Sequence, residues 1–214
     1  IDYVPRIGKI VYNVHSSLPY VTSGYTIRTE SVVKSLIKSD FEVVVNCRWG
    51  FPTDKYPEKS MFNVNEIEDI DGVKHIFSPD EKGIRGSRFR DYCQRSADNM
   101  LPKIMQESPS VILAASDYSI GLPSAHIAKE LGIPFIYEMR GLWAFSRSAN
   151  NAGYEGSTQY KMLMRLERQC AELASMVVVI SSGMKAMLME WGIPSEKIII
   201  LTNGSEKSSK ISIK

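Results

Sequence analysis

Residues 109–138 read PSVILAASDYSIGLPSAHIAKELGIPFIYE. Within them VILAA is a strand-length apolar run, GLPSAHIAKELG reads as a helix, and PFIYE is a second apolar run. The helix signal ends in ELGIPF, with glycine at the cap and proline two residues on. Glycine accepts the left-handed conformation at that cap, and proline cannot continue a helix. The apolar runs are continuous, not alternating. Strands of that kind are buried on both faces, as parallel strands between helix layers are.

The rhythm continues downstream. QYKMLMRLERQCAELAS is a helix, MVVVI a strand, SSGMKAMLMEWG a helix and KIIIL a strand, and EWGIPS repeats the glycine–proline stop. Ser181 or Ser182 caps the helix that opens there, and a helix N-terminus also attracts an anion. Upstream, Ile7–Val14 is a buried strand, Tyr25–Ser39 an amphipathic helix and Phe41–Cys47 a second strand. EIEDIDGVKHIF reads as a hairpin turning at Asp71-Gly72. A long helix covers Gly86–Ser108, with Pro102 expected to kink it. This alternation of β and α elements predicts a doubly wound α/β sheet that binds ligands at the carboxyl ends of its strands.

The chain has 214 residues, 26 basic against 24 acidic, for a net charge of +2. That balance argues against a dedicated nucleic-acid binder, which shows a strong basic excess. No apolar run approaches the ~18–20 residues of a membrane helix, and no signal peptide is evident. Cys47, Cys93 and Cys170 are few, odd in number and far apart, so they read as reduced thiols of a cytosolic protein.

Asp69-Ile70-Asp71 has a spacing that suits a divalent cation, but the glycine that follows favours a plain turn. His15, His75 and His126 fall on a loop, a strand and a helix, without metal-ligand spacing. His15 stands at the carboxyl end of the first strand and is a pocket candidate. The connection 15–24 there is unusually long, since such loops run ~2–6 residues. It helps to build a site, or is a tolerated surface insertion. Its lone Gly24 is not a dinucleotide fingerprint. A second long connection, YEMRGLWAFSRSANNAGYEGS, follows the strand PFIYE. Glu138 and Arg140 in it either pair with each other, or Arg140 holds an anionic group. Trp143 stacks on a sugar or a lipid, or packs on the sheet edge. Lys82, Arg85, Arg88, Arg90 and Arg95 form a solvated face, or a patch for an anionic acceptor or membrane surface.

Three stretches together resemble the N-terminal domain of GT-B fold glycosyltransferases of family 4, the large "group 1" family. TSGYTIRT (22–29) stands where members carry a glycine-rich, acceptor-side loop. PSVILAASDYSIGLPSAHIAKELGIPFIYEMRGLW (109–143) is similar to the family's strand–helix–strand–loop passage. ASMVVVISSGMKAMLMEWGIPSEKIIILTNG (174–204) resembles its approach to the linker. The resemblance implies a three-layer, Rossmann-like, mostly parallel domain over residues 1–204, with a linker or tail over 205–214. It implies that this domain holds the acceptor across a cleft from a nucleotide-sugar domain absent from this chain, so that the chain alone is inactive. Transfer would retain the anomeric configuration without a metal or cofactor, the nucleotide-sugar being a co-substrate.

The partners implied are a nucleotide-sugar donor, a glycan or lipid-linked acceptor, no nucleic acid, and peripheral contact with the inner face of a membrane. The implied setting is cytoplasmic assembly of polysaccharide or glycolipid. On this reading His15, Ser23, Gly24, Tyr25, Asp117, Glu138 and Arg140 bind substrate. The sequence departs from the family in two places. Ala115 stands where members often place a histidine near the donor sugar, with Asp117 or His15 as the nearby substitutes. After Asn203-Gly204 members continue with a hydrophobic residue and Asp, whereas this chain reads SEKSSKISIK. Two other readings stay open: a stand-alone Rossmann-like binding module, and a sugar-nucleotide epimerase of the related two-domain fold.

Overall fold

The computed structural model describes residues 2–55, 64–81, 83 and 88–204. The first half of the chain contributes β1 (Arg6–Val14), α1 (Gly24–Lys38), β2 (Glu42–Cys47), β3 (Ile67–Ile70), β4 (Val73–Ile76) and α2 (Phe89–Glu107). The second half contributes β5 (Pro109–Ala115), α3 (Tyr118–Leu131), β6 (Phe135–Met139), α4 (Trp143–Ser148), α5 (Thr158–Leu173), β7 (Met176–Val179), α6 (Ser182–Glu190) and β8 (Ile198–Ile200). The eight strands form one sheet in the order β3-β4-β2-β1-β5-β6-β7-β8. Among the described residues, only the β3–β4 hairpin pairs antiparallel. The domain is thus a Rossmann-like α/β fold. Successive crossovers run one way from β1 and the other way from β5, so the topological switch point lies between those two neighbours.

Alternate residues of each central strand enter opposite cores. Val11, Val44, Ile112, Ala114, Tyr137 and Val177 pack with residues of α2, α3, α5 and α6. Ile10, Tyr12, Val14, Val43, Val45 and Leu113 pack with Val33 of α1 and with Phe51 and Phe77. Both sets are buried, which is why the strands read as unbroken apolar runs. Inside the sheet a buried polar chain fixes the register. Asn46 Nδ2 donates to Asn13 Oδ1 at 2.8 Å, and Asn13 Nδ2 donates to Ser124 Oγ of α3 at 2.8 Å.

Local signals account for most boundaries. Gly132 sits at φ +67 after α3, and Gly192 at φ +87 after α6. The hairpin turns at Asp71 and Gly72, both at positive φ, with Asp69 Oδ1 accepting the Gly72 N–H at 2.9 Å. The Asp-x-Asp is therefore a turn. Ser181 caps α6 by accepting the Met184 N–H. Pro102 lies inside α2 without ending it. α3 begins three residues before the GLPS expected to open it. The reason is tertiary: Asp117 accepts the Ser119 N–H at 2.8 Å, and Glu167 of α5 accepts the Tyr118 N–H at 3.2 Å. Residues 143–148, expected as loop, form the short α4. Cys47, Cys93 and Cys170 are unpaired thiols on β2, α2 and α5. The expected start of the long helix at Gly86, the basic residues Lys82 and Arg85, and the tail 205–214 lie outside the described residues.

Gly121 lets α3 approach α5 and β6. A methyl group there would stand 2.7 Å from Cys170 Sγ and 2.9 Å from the Tyr137 ring. Gly121→Ala is therefore expected to destabilise the domain by about 1–3 kcal/mol, although alanine is the better helix former by about 1 kcal/mol. Urea denaturation checks this; a stabilised variant would mean that the two helices part easily.

Candidate functional site

A cavity of about 530 Å³ opens at the switch point, over the carboxyl ends of β1, β2 and β5. His15 and Ser16 come to it directly from the end of β1, Arg48 from the end of β2, and Ser116 and Asp117 from the end of β5. The long connection 15–24 brings Val21 and Ser23, and the start of α1 brings Tyr25. α4 supplies Trp143, whose side chain stays 57% exposed and so is free to meet a ligand.

Tyr25 ties the wall together. Its hydroxyl accepts the His15 backbone N–H at 2.9 Å and lies 3.4 Å from the Ala115 carbonyl. The Arg140 guanidinium lies over its ring, 4.4 Å from the centroid. Ser23 is the N-cap of α1: its hydroxyl accepts the Thr26 N–H, and the Thr26 hydroxyl accepts the Ser23 N–H. Gly24 is the first residue of α1 and does not line the cavity; a Cβ there would meet nothing within 4 Å. Asp117 caps α3 through Oδ1 and faces the cavity.

The polar floor beside β2 has no counterpart in the sequence reading. Arg48 and Asp54 form a buried ion pair, Nη1 to Oδ2 at 2.5 Å and Nη2 to Oδ1 at 2.9 Å. Asp54 is pressed between Gly50 and Gly83, where a Cβ would come within 3.0 Å of its carboxyl group. The one available signal was positional: RWGFPTDK follows a strand at the same end of the sheet.

Glu138 and Arg140 were candidates for the pocket. The structure places them behind Tyr25, outside the cavity lining. Arg140 spends its donors internally: Nε reaches Glu138 at 3.0 Å, Nη1 reaches the Tyr25 carbonyl at 2.7 Å and Thr29 Oγ1 at 2.9 Å, and Nη2 reaches the Tyr12 hydroxyl. Of the two options left open by the sequence, the pairing with Glu138 is the one formed. Glu138 also receives Tyr12 and Arg28. Burial alone would raise its pKa, but Arg140, Tyr12 and Arg28 outweigh that and hold it below the usual carboxylate range. Tyr12 and Arg28 were invisible as site residues, one inside an apolar strand and one on a polar helix face.

Ala115 is fully buried in the core under α1, so its side chain does not enter the cavity, whereas His15 and Asp117 do. Burial, with Arg48 and Lys55 adding to it, pushes the His15 ring down to about 3. The imidazole is therefore neutral at physiological pH, a hydrogen-bonding group without charge. In an NMR titration it is expected to keep its neutral shifts from about pH 8 to about pH 5; protonation near its ordinary value would show that the cavity is open to bulk water.

His75 and His126 lie elsewhere. His75 is buried on β4 and bonds the Val73 carbonyl. His126 lines a second cavity, of about 760 Å³, on the helix layer between α2, α3 and α5. Arg90 borders that second cavity, and Arg95 lies over the Trp49 ring at 5.1 Å. Among the described residues, no group of three or more His, Cys, Asp and Glu is placed to hold a metal, and no helix is long and apolar enough to cross a membrane.

A Rossmann-like sheet with a hydroxyl-rich, aromatic-edged cavity at its switch point is the arrangement in which doubly wound α/β domains take ligands. The family model "Glycosyl transferase 4-like domain" matches residues 23–204, and the chain belongs to that family. No curated protein sequence matches it. Among solved structures, UDP-GlcNAc 2-epimerase from Neisseria meningitidis bound to UDP-GlcNAc aligns with a TM-score of 0.59 at 14% identity, over 90% of this chain and 45% of that one. The Methanocaldococcus jannaschii UDP-GlcNAc 2-epimerase aligns at 0.56 and 16%, over 91% and 45%. MurG from Acinetobacter baumannii aligns at 0.50 and 15%, over 92% and 47%. The likeness is one of GT-B-like fold, and this chain spans less than half the length of those proteins.

Proposed function

We propose that this domain is the acceptor-binding half of a retaining glycosyltransferase. It would orient a hydroxyl of a glycan or lipid-linked acceptor toward a nucleotide-sugar held by a second domain beyond Gly204. The observation that carries the reading is the cavity at the switch point of a family 4-like domain, where doubly wound sheets take their ligands. Its lining supports a polyhydroxylated ligand: the Ser16, Ser23 and Ser116 hydroxyls, a neutral His15, the Asp117 carboxylate, and the Trp143 ring as an apolar platform. No metal or cofactor enters this reading. The reaction would belong to polysaccharide or glycolipid assembly on the cytoplasmic side of a membrane. By itself the domain would not catalyse transfer, because the donor has to be oriented against the acceptor.

The test is a transfer assay on the polypeptide that joins this domain to its nucleotide-sugar half, with UDP- and GDP-sugars and a chelator present. A new glycosidic bond of retained configuration supports the reading. An epimerised sugar nucleotide would replace it with the epimerase reading, and activity restored only by manganese would overturn the metal-free mechanism. In the same assay Trp143→Ala is expected to raise the acceptor KM by about ten-fold. Its stability should change by less than about 0.5 kcal/mol, since the residue is surface-exposed. An unchanged KM would remove Trp143 from the site.

A further inference from the structure

We propose that Arg28 is a positioning residue that ties the cavity wall to the chain leaving the domain after β8. The inference rests on the acceptor reading above and adds how the second half would be held in register with the site. Arg28 stands on α1, yet its side chain is only 13% exposed, next to an Ile27 that is 59% exposed. All three guanidinium nitrogens are engaged, on two different parts of the molecule. Nε donates to Glu138 Oε1 at 2.7 Å, Nη1 to Asn203 Oδ1 at 2.6 Å, and Nη2 to the Leu201 carbonyl at 3.1 Å.

Those partners join the two ends of one path. Leu201 and Asn203 lie just past β8, and the Leu201 N–H is, among the described residues, the last backbone bond from this segment to β7, at 2.8 Å from the Val179 carbonyl. Glu138 shares its other oxygen with Tyr12 and Arg140, and Arg140 holds the Tyr25 carbonyl and lies over the Tyr25 ring. Tyr25 lines the cavity. From cavity to exit the sequence of groups is therefore Tyr25, Arg140, Glu138, Arg28, Asn203, all in direct contact. A guanidinium is a rigid planar fork. When a ligand moves Tyr25 and Arg140 shifts on Glu138, Arg28 cannot follow at Nε without swinging the two nitrogens that hold Leu201 and Asn203. Coupling of this kind is reciprocal: a change at the exit must be felt in the cavity.

The experiment uses this 214-residue chain and two variants. Arg28→Lys keeps a positive charge beside Glu138 but cannot span to the exit. Asn203→Ala leaves Arg28 and Glu138 in place and removes one of the two exit anchors, the Leu201 carbonyl keeping its bond from Nη2. Both are expected to unfold within about 4 °C of the parent. In both, hydrogen exchange at the Leu201 amide should quicken at least about ten-fold, the weight of one hydrogen bond to a charged group. In Asn203→Ala the NMR signals of the Trp143 indole N–H and the Tyr25 ring should also shift, which a merely local ion pair would not produce. Unchanged Leu201 exchange in either variant, or unmoved cavity signals in Asn203→Ala, would overturn the proposal. Neither readout involves sugar transfer, so their failure would leave the acceptor reading standing. Conversely, a failed transfer assay beside positive readouts would leave the coupling and remove the acceptor.

Discussion

Arg140→Ala is expected to destabilise the domain by about 3–5 kcal/mol, the range for removing one partner of a buried ion pair. The Glu138 and Arg140 side chains are 3% and 7% exposed, and the Nη2–Oε2 separation is 2.9 Å. Deleting the guanidinium leaves a buried carboxylate with only Arg28 and the Tyr12 hydroxyl. It also removes the donor to the Thr29 hydroxyl and one of the donors to the Tyr25 carbonyl, which keeps its bond from Thr29 Oγ1. From the sequence alone, an Arg140 that gripped an anionic ligand would lose acceptor use more than stability. With Arg140 behind the cavity, the two should fall together. Arg140→Lys should recover only part of the loss, since an ammonium cannot reach all four partners at once. Urea denaturation of the three proteins decides it. A cost below about 1 kcal/mol, the level of an exposed pair, would mean that this network does not hold the folded state.

The second large effect concerns pH and Glu167. This carboxyl is buried between α5, β6 and the start of α3, where it accepts the Tyr137 hydroxyl at 2.6 Å and the Tyr118 N–H. Burial raises it from 4.5 to about 8, against the lowering effect of the Tyr137 bond and with Asp117 raising it further. In the unfolded chain the same group ionises near its ordinary value. Between those two values the unfolded state has lost a proton that the folded state keeps. Stability from this group is therefore full below about pH 4.5 and is lost as pH rises to about 8, by an amount on the order of 4 kcal/mol. Glu167→Gln keeps an acceptor for Tyr118 and cannot ionise. It is expected to equal the parent near about pH 4 and to exceed it by a few kcal/mol near about pH 8. Parallel pH dependences for the two proteins would show that Glu167 is ionised in the fold and that water reaches it.

How far the site was legible follows from how each residue acts. His15, Ser23, Tyr25 and Asp117 sit beside strand ends or helix caps, and those are local signals: a strand stops, a helix starts, and the loop between them faces the sheet's carboxyl edge. Arg48, Asp54 and Lys55 occupy an equivalent position after β2 but carry no recognisable spacing. Glu138 and Arg140 are two residues apart at the end of β6, so the sequence showed that they could meet; it could not show that Tyr25 would stand between them and the cavity. Arg28 and Asn203 are 175 positions apart and share no pattern at all.

The sequence by itself determined the order and kind of the elements other than α4. Continuous apolar runs, glycine caps, the Asp-Gly turn and serine N-caps are each set by backbone conformation and burial within a few residues, and they give the alternation that requires a doubly wound sheet. It also pointed to the end of the sheet where the cavity lies, because parallel strands joined by right-handed crossovers leave one edge for loops. Only the tertiary structure decided which polar side chains were bare and which were consumed. That depends on distances between elements far apart in the chain: Glu138 drew two arginines and a tyrosine into the interior, and Glu167 reached across from α5 to start α3 early. A buried charge takes whatever partner folding brings within hydrogen-bond distance, and that choice is made in space, not along the sequence.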